Sequence, residues 1–307
     1  MAAQAKSHDP IYNQKWRTFM RILIPGGDGM LGHELLRALS LNHEVKVTLR
    51  RELSAYADLR IFNSGNAYPN VDVRNLESIK ATFDDFHPQA VINAVGVVKQ
   101  RPDSADAISS ITVNALFPHQ LADLCTGHGA RLVHMSTDCV FSGNRGSYRE
   151  EDPPDANDLY GRSKLLGEVQ GANDLTLRTS IIGRELSRRT GLLEWFLAQR
   201  GSVRGYRRAV FSGFTTTEMA RIVERLLVRY PNASGVYHVS SEPITKYELL
   251  TMIKHALALQ TEITPEDSVR IDRSLDSTRF RAELNYTPPT WQEMIAELAQ
   301  TTPAVTT

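Results

Sequence analysis

The chain of 307 residues has only two cysteines, Cys125 and Cys139, and no long apolar run. Two cysteines without metal-type spacing cannot form a disulfide scaffold, so we expect a reducing setting, most simply the cytoplasm. No apolar run approaches the roughly 18 residues of a membrane span, so we expect no membrane partner. The first 19 residues lack the apolar core of a secretory signal, and we expect them to form a flexible extension.

The sequence also lacks an excess of charge of either sign. Lys plus Arg and Asp plus Glu each number 35, which gives no global field that would attract a nucleic acid or an anionic membrane. Any site for an anion must therefore be built locally. The length allows one large α/β domain, or one domain with a smaller appendage.

Short apolar strands alternate with amphipathic helices from residue 20 to about residue 180. We predict strands at 21–25, 45–49, 90–93, 131–135 and 176–178, and helices at 30–39, 76–86, 111–128 and 160–169. Pro118 lies inside the third of these helices and predicts a kink or a new start. The alternation predicts an α/β fold with a doubly wound parallel sheet of the Rossmann type, in which ligands bind at the carboxyl ends of the strands.

A glycine loop, GGDGMLG, connects the first predicted strand to the first predicted helix. Gly26, Gly29 and Gly32 let backbone N–H groups approach a pyrophosphate, while the following helix presents its positive N-terminal end. We therefore predict a dinucleotide site that includes these glycines together with Met30 and Leu31. The alternative is an ordinary turn between a strand and a helix.

Arg50 and Arg51 follow the second strand, where a dinucleotide fold usually places an acid on the ribose 2′-hydroxyl of NAD. Arginine suits a 2′-phosphate instead, so we favour NADP(H), while Glu52 keeps NAD(H) possible. Asp72, with Val73 beside it, is predicted to end a short third strand and to meet the adenine. A turn-forming aspartate is the alternative.

The fourth strand ends in small residues, Ala94, Val95 and Gly96, which we expect to lie close to the ribose and pyrophosphate. A simple turn from strand to loop is the alternative. Beyond about residue 180 the pattern loosens. We predict helices there at 192–199, 216–228, 247–258 and 291–298, and a strand at 235–239. We expect an NAD(P)-binding domain at 20–180, a mainly substrate-binding C-terminal region at 181–300 and a disordered tail at 301–307.

Tyr160 and Lys164, in YGRSK, lie four residues apart and share one face of a predicted helix. A phenol with an ordinary pKa of about 10 can donate a proton, and a nearby ammonium lowers that pKa. The pair can protonate a carbonyl oxygen as hydride reaches its carbon, and we also expect Lys164 to bind the nicotinamide ribose. The motif alone is weak, because many surface helices contain it.

Ser136, Thr137 and Asp138 follow the strand RLVHM. A hydroxyl at the carboxyl end of a strand can hold a substrate carbonyl oxygen, so we predict Thr137 as a third catalytic residue. A Ser/Thr turn is the alternative. Asp138 is expected to orient either Tyr160 or a substrate hydroxyl.

Several segments together resemble the extended short-chain dehydrogenase/reductase superfamily and, within it, the dTDP-4-dehydrorhamnose reductase family. They include GGDGMLGHEL (26–35), AVINAVG (90–96), VNALFPHQLA (113–122), RLVHMSTDCVFSG (131–143) and YGRSKLLGE (160–168). The resemblance covers residues 20 to 298. It implies NADPH-dependent reduction of a nucleotide-activated 4-keto-6-deoxy sugar for polysaccharide precursor synthesis, with catalytic roles for Thr137, Tyr160 and Lys164. It is compatible with a homodimer, and we predict no metal site.

The sequence departs from the family pattern at several positions. Cys139 stands where the family usually has tyrosine. Lys99 and Gln100 are placed by position to face the substrate, although a solvated loop is the alternative. Arg207 or Arg208 is predicted to bind the pyrophosphate of the nucleotide, since arginine binds phosphate oxygens well. These departures leave the identity of the sugar open.

Two other functions also stay open. An epimerase or dehydratase of the same fold would retain NAD, but dehydratases usually add an Asp-Glu pair beside the catalytic threonine, and here Cys139 follows Asp138. A non-catalytic regulatory subunit would bind NADP and a partner protein, as in one eukaryotic branch of the family. The presence of Thr137, Tyr160 and Lys164 favours an enzyme.

Overall fold

Seven parallel strands form the central sheet, with helices on both faces. The computed structural model describes residues 19–98, 106–187 and 189–302. Lys99, Gln100, residues 1–18 of the predicted extension and residues 303–307 of the predicted tail lie outside these ranges. The described part contains no helix that is both long enough and apolar enough to cross a membrane.

The strands are short, and most of the later ones contain two or three residues. In chain order they are β1 (Arg21–Pro25), β2 (Glu44–Thr48), β3 (Ala67–Tyr68), β4 (Ala90–Asn93), β5 (Arg131–Thr137), β6 (Asp174–Thr179), β7 (Ile181–Ile182), β8 (Ser202–Tyr206), β9 (Ala209–Phe211), β10 (Phe214–Thr215), β11 (Gly235–His238), β12 (Ile244–Thr245), β13 (Glu262–Glu266) and β14 (Ile271–Asp272).

The helices alternate with the strands of the central sheet and then continue into the C-terminal part. They are α1 (Met30–Leu39), α2 (Leu76–Phe86), α3 (Ala107–Ile111), α4 (Phe117–Gly127), α5 (Leu159–Leu166), α6 (Leu192–Leu197), α7 (Thr216–Arg229), α8 (Lys246–Ala256), α9 (Thr278–Glu283) and α10 (Trp291–Thr301).

The central sheet has the strand order β3-β2-β1-β4-β5-β6-β11. Every neighbouring pair in it is parallel. The order reverses between β1 and β4, and in such sheets ligands bind at this switch point, beyond the carboxyl ends of the strands. The predicted Rossmann-type sheet is therefore confirmed.

Both faces of the sheet are buried, which explains why its strands read as continuous apolar runs. Ile22 and Ile24 of β1 pack into the larger apolar cluster, together with residues of α1 and α7. Leu23 of β1 and Val91 of β4 point to the opposite face, where they pack with Phe83 of α2. The side chains alternate because successive residues of a strand point to opposite faces.

The predicted helix at 111–128 is wrong in one respect. The helical segment begins at Ala107, and a π-helical turn, Thr112–Leu116, separates α3 from α4. Pro118 is the second residue of α4. Since proline has no N–H, it cannot donate to the carbonyl of Asn114, and the helix widens into the π turn before it restarts.

The C-terminal part supplies one strand of the central sheet, because β11 pairs with β6. It also forms a three-stranded sheet in the order β12-β9-β14, and strand pairs β10-β7 and β13-β8. The strand β12 leads directly into α8, whose capping box joins Thr245 and Glu248. These strands were not predicted. The strands β7, β9, β10, β12 and β14 have only two or three residues, too few to show a periodic pattern. The five-residue strands β8 (SVRGY) and β13 (EITPE) contain glycine or proline and several exposed residues.

Core packing gives a test of the fold. Phe83 is fully buried, whereas the side chain of Phe19 is 63% exposed. Replacing Phe83 by Ala should lower the free energy of unfolding by about 3–5 kcal/mol, since it leaves a cavity in the core. The matched change Phe19→Ala should have little effect in the same urea-unfolding measurement. Equal losses for the two variants would contradict the assigned packing.

Candidate active site

The helix α5 places Tyr160 and Lys164 against the carboxyl end of β5. Asp158 caps the helix at its N-terminus. The Lys164 ammonium donates a hydrogen bond to the carbonyl of Met135 (2.6 Å). One turn earlier, the half-buried Tyr160 has its phenol hydrogen-bonded to the side chain of Thr137. The structure therefore brings the three predicted catalytic residues together.

The strand β5 is longer than predicted and includes two of the residues expected to follow it. Ser136 and Thr137 end the strand and pair with β6. The Thr137 hydroxyl accepts a hydrogen bond from the backbone N–H of Cys139 (3.1 Å) and donates to the Asp138 carboxylate (3.2 Å). Thr137 thus caps a turn, as the alternative interpretation expected, and also contacts Tyr160.

The electrostatics of Tyr160 differ from the sequence expectation. Burial is the main cause that raises its pKa, and the neighbouring Cys139 and Asp138 raise it further, while the hydrogen bond between Tyr160 and Thr137 lowers it. The net shift of the pKa is therefore upward, opposite to the direction that the sequence predicted from Lys164. The phenol therefore holds its proton firmly.

Lys164 belongs to a buried charged network that the sequence analysis missed. Burial lowers the pKa of Lys164 to about 8, and the nearby Glu168 raises it. Glu168 accepts two hydrogen bonds of 2.8 Å from the Arg178 guanidinium and one of 2.7 Å from the Ser136 hydroxyl. A buried carboxylate needs such partners, because burying a charge without them is costly.

Asn114 is a buried polar residue beside the site that the sequence analysis missed. It lies in the π turn, fully buried, and its amide donates to the carbonyl of Val97 (3.0 Å) and to the hydroxyl of Ser163 (3.1 Å). Its side-chain oxygen accepts from the N–H of Val97 (2.8 Å). Asn114 thereby ties the loop after β4 to α5. The available signal in the sequence was Pro118, which interrupts the helical pattern just after Asn114. Such an interruption can produce a π turn, and π turns often mark functional sites.

The glycine loop forms a cradle of backbone at the start of α1. Gly26 has φ +89°, a left-handed conformation that favours glycine. A Cβ on Gly32 would overlap the carbonyl oxygen of Gly26. Gly29 caps the helix without a side chain, so the first turn, with Met30 and Leu31, presents backbone N–H groups. This arrangement fits a pyrophosphate at a helix N-terminus.

A pocket beside the cradle lies at the carboxyl ends of β1 and β2. It is lined by the predicted residues Arg50, Asp72, Val73 and Val95, and by Arg74, which was not predicted. Guanidinium groups at this position suit the ribose 2′-phosphate that distinguishes NADP(H) from NAD(H). Val95 and Ala94 also pack against Gly26, and Gly96 follows them, half-buried.

Asp72 differs from its predicted setting in two ways. The strand β3 ends at Tyr68, so Asp72 lies in the loop beyond it. Its carboxylate is bound by the guanidinium of Arg74, with a shortest distance of 2.5 Å, and this contact is the main cause that lowers its pKa. The second arginine of the predicted pair, Arg51, lies over the ring of Tyr56, 4.9 Å from its centre.

The predicted substrate residues are only partly brought together. Asp138 contacts Thr137, whereas Lys99 lies outside the described residues. Arg207 lies in the turn between β8 and β9, where its exposed guanidinium is bound by the carboxylate of Asp267. A cation that was not predicted, the Lys246 ammonium, lies near Asp138 and Cys139 and near a second cation, Arg273. Within the described ranges, no cluster of His, Cys, Asp and Glu side chains could hold a metal ion.

A glycine cradle and a Thr-Tyr-Lys cluster, both at the carboxyl ends of a parallel sheet, define an extended short-chain dehydrogenase/reductase. A family profile described as RmlD substrate binding domain matches residues 20–303, and the chain belongs to this family. The resemblance inferred from the motifs is confirmed.

Known proteins resemble the chain over most of its length. SpsK, a spore coat polysaccharide biosynthesis protein of Bacillus subtilis (strain 168), is 28% identical over 91% of this chain and 97% of its own length. A dTDP-4-dehydrorhamnose reductase of Aggregatibacter actinomycetemcomitans is 24% identical over 91% and 98%. Methionine adenosyltransferase 2 subunit beta of Bos taurus is 26% identical over 78% and 72%.

A solved structure shares the fold. It is the dTDP-4-dehydrorhamnose reductase of Bacillus anthracis in complex with NADP, with a TM-score of 0.77 at 19% identity. The match covers 92% of this chain and 100% of that one.

The surroundings of Lys164 predict the pH at which its ammonium titrates, and this can be measured without substrate or cofactor. Its folded pKa of about 8 lies below the ordinary value, so the ammonium should lose its proton as the pH rises through about 8. Glu168→Gln removes the acid that raises this pKa, and the midpoint should move to lower pH. NMR of lysines labelled with ¹⁵N and ¹³C, assigned with Lys164→Arg, measures the midpoint. The exposed Glu151→Gln is the matched control, and an identical shift in both variants would contradict the network.

Proposed function

We propose that this chain uses NADPH to reduce the carbonyl group of a nucleotide-activated keto sugar of the 4-keto-6-deoxy kind. The observation that carries the proposal is the hydrogen-bonded pair Thr137 and Tyr160, with the buried Lys164 beside it, at the edge of the sheet that also holds the glycine cradle. The names of the relatives from Aggregatibacter and Bacillus subtilis support a reductase in polysaccharide precursor synthesis.

The proposed mechanism assigns one task to each residue. NADPH would supply a hydride to the carbonyl carbon. The Thr137 hydroxyl donates a hydrogen bond to the carbonyl oxygen, where negative charge develops, and the Tyr160 phenol delivers the proton. The raised pKa of Tyr160 keeps that proton in place until the more basic alkoxide oxygen forms. The Lys164 ammonium binds the ribose hydroxyls and stabilises the phenolate that remains.

The backbone of Gly26, Gly29 and Gly32 would hold the pyrophosphate of the cofactor, and Arg50 and Arg74 would hold the 2′-phosphate of NADP(H), which we favour over NAD(H). We propose that residues 20–180 bind the dinucleotide and that residues 181–300 mainly bind the substrate, although β11 lies in the central sheet. A homodimer and a cytoplasmic setting stay predictions.

The second candidate function is a regulatory subunit without turnover, and the bovine relative is named as a subunit of methionine adenosyltransferase 2. A screen of nucleotide keto sugars with NADPH and NADH separates the two candidates. Loss of NADPH absorbance on adding one of the sugars supports the reductase. No loss with any of them, together with tight binding of a partner protein, would favour the regulatory subunit.

Removing the Tyr160 hydroxyl tests the proton donor. Tyr160→Phe should lower turnover by about 100-fold or more, since proton transfer by a placed side chain contributes about that much. The NADPH affinity should stay nearly unchanged. Tyr230→Phe, beyond the end of α7, is the matched control and should turn over like the wild type. Turnover of Tyr160→Phe at the wild-type rate would remove Tyr160 from the mechanism.

Coenzyme preference tests the two arginines of the pocket. Arg50→Ala and Arg74→Ala should each weaken NADPH binding by about tenfold, because a charge-assisted contact to the 2′-phosphate is lost, while NADH binding changes little. The control is Arg229→Ala, an exposed position at the end of α7. Titrations that follow protein fluorescence measure both affinities. Equal effects on NADPH and NADH would exclude a 2′-phosphate contact.

A further inference from the structure

A cationic pair lies on the C-terminal side of the Thr137–Tyr160 cluster. Lys246, the first residue of α8, is half-buried, and no hydrogen bond or ion pair joins its ammonium to another residue in the described part of the chain. The charged or ionisable groups that act on it through space are Asp138, Cys139 and Arg273. Asp138 and Cys139 directly follow Thr137, so the Lys246 ammonium lies near the proposed reaction site.

The fold holds both cations in place. The strand β9 pairs with β12 on one edge and with β14 on the other. Lys246 directly follows β12, and Arg273 directly follows β14. The Nε of Arg273 also donates to the carbonyl of Phe141 (2.8 Å), which fixes the guanidinium against the segment that follows Thr137.

The Lys246 ammonium lies in a cluster of charged groups in the described part of the chain. Among the described residues that act on the Lys246 ammonium, Arg273 is a second cation and Asp138 is a carboxylate, which also accepts a hydrogen bond from Thr137. Burial is the main cause that lowers the pKa of Lys246, Asp138 and Cys139 raise it, and the nearby Arg273 lowers it. The N-terminus of α8 adds a positive partial charge at the same point. An anion of more than one negative charge would offset all three.

We propose that Lys246 and Arg273 bind the pyrophosphate of the nucleotide sugar. This rests on the proposed function for the sugar, whereas the anion site itself rests on the arrangement of cations. The pyrophosphate would be held beside Thr137 and Tyr160, so that the attached sugar reaches the two hydroxyls. Arg207, one of the two arginines predicted for this task, is bound by Asp267 at an exposed turn.

Binding measurements without turnover test the site. Isothermal titration gives the affinities of dTDP, UDP and GDP and of the matching nucleosides for the full chain. The ratio between a nucleoside diphosphate and its nucleoside isolates the contribution of the pyrophosphate from any general effect on folding. Lys246→Met and Arg273→Met should each reduce this ratio by about tenfold or more, since each removes a charge-assisted contact.

Two further variants make the result specific. Lys246→Arg should restore most of the ratio, because it keeps the charge. Lys254→Met removes a lysine from the other end of the same helix, about 12 Å away at 1.5 Å per residue, and should leave the ratio unchanged. The NADPH affinity should be the same in all four variants.

The possible outcomes distinguish a failure of the proposed anion site from a failure of the proposed reductase activity. A wild-type ratio in both Lys246→Met and Arg273→Met, or a wild type that binds diphosphates no better than nucleosides, overturns the anion site even if a keto sugar is reduced. A reduced ratio in both variants, with no sugar reduced by the wild type, keeps the anion site and rejects the reductase.

Discussion

The attachment of α5 to the carboxyl end of β5 is the constraint on which the candidate site depends. The bond from the Lys164 ammonium to the carbonyl of Met135 draws the helix onto the strand, and Tyr160 then lies beside Thr137. A helix tilted away from the strand would separate the phenol from the hydroxyl. Because proton transfer requires contact at hydrogen-bond distance, the chemistry requires this attachment.

The attachment requires a buried charge, and the surrounding network explains how the fold tolerates it. Glu168 raises the pKa of Lys164 against the effect of burial, and Arg178 balances Glu168. The same carboxylate accepts from Ser136, next to Thr137 on β5. Since removing one member would leave another buried and unpaired, the network keeps the helix and the strand in a single relative position.

The C-terminal part completes the site from the other side. Its small sheet around β9 fixes Lys246 and Arg273 by their positions directly after two strands, so both cations are held by backbone pairing and not by long flexible loops. The Rossmann half thus offers hydroxyls and a buried ammonium, and the C-terminal part offers positive charge. The two halves provide complementary contributions at one edge of the central sheet.

The sequence by itself predicted most of the central sheet, the glycine loop and the three residues of the cluster, although it misplaced β3, which ends at Tyr68 and not at Asp72. The strands at 21–25 and 90–93 match the structure residue for residue, because strand and helix periodicity is a local property of the chain. The spacing of Tyr160 and Lys164 likewise needs only one helical turn.

Only the tertiary structure decided what surrounds that cluster. Asn114 and Lys246 are single polar residues without a local pattern, and their roles come from contacts that distant segments bring to them. Glu168 lies close to Lys164 in sequence, but its partners Ser136 and Arg178 come from other strands. The same is true of the pKa of Tyr160, which burial and neighbours raise against the expectation from spacing. Electrostatic environment depends on distances in space, and the order of residues along the chain does not specify those distances.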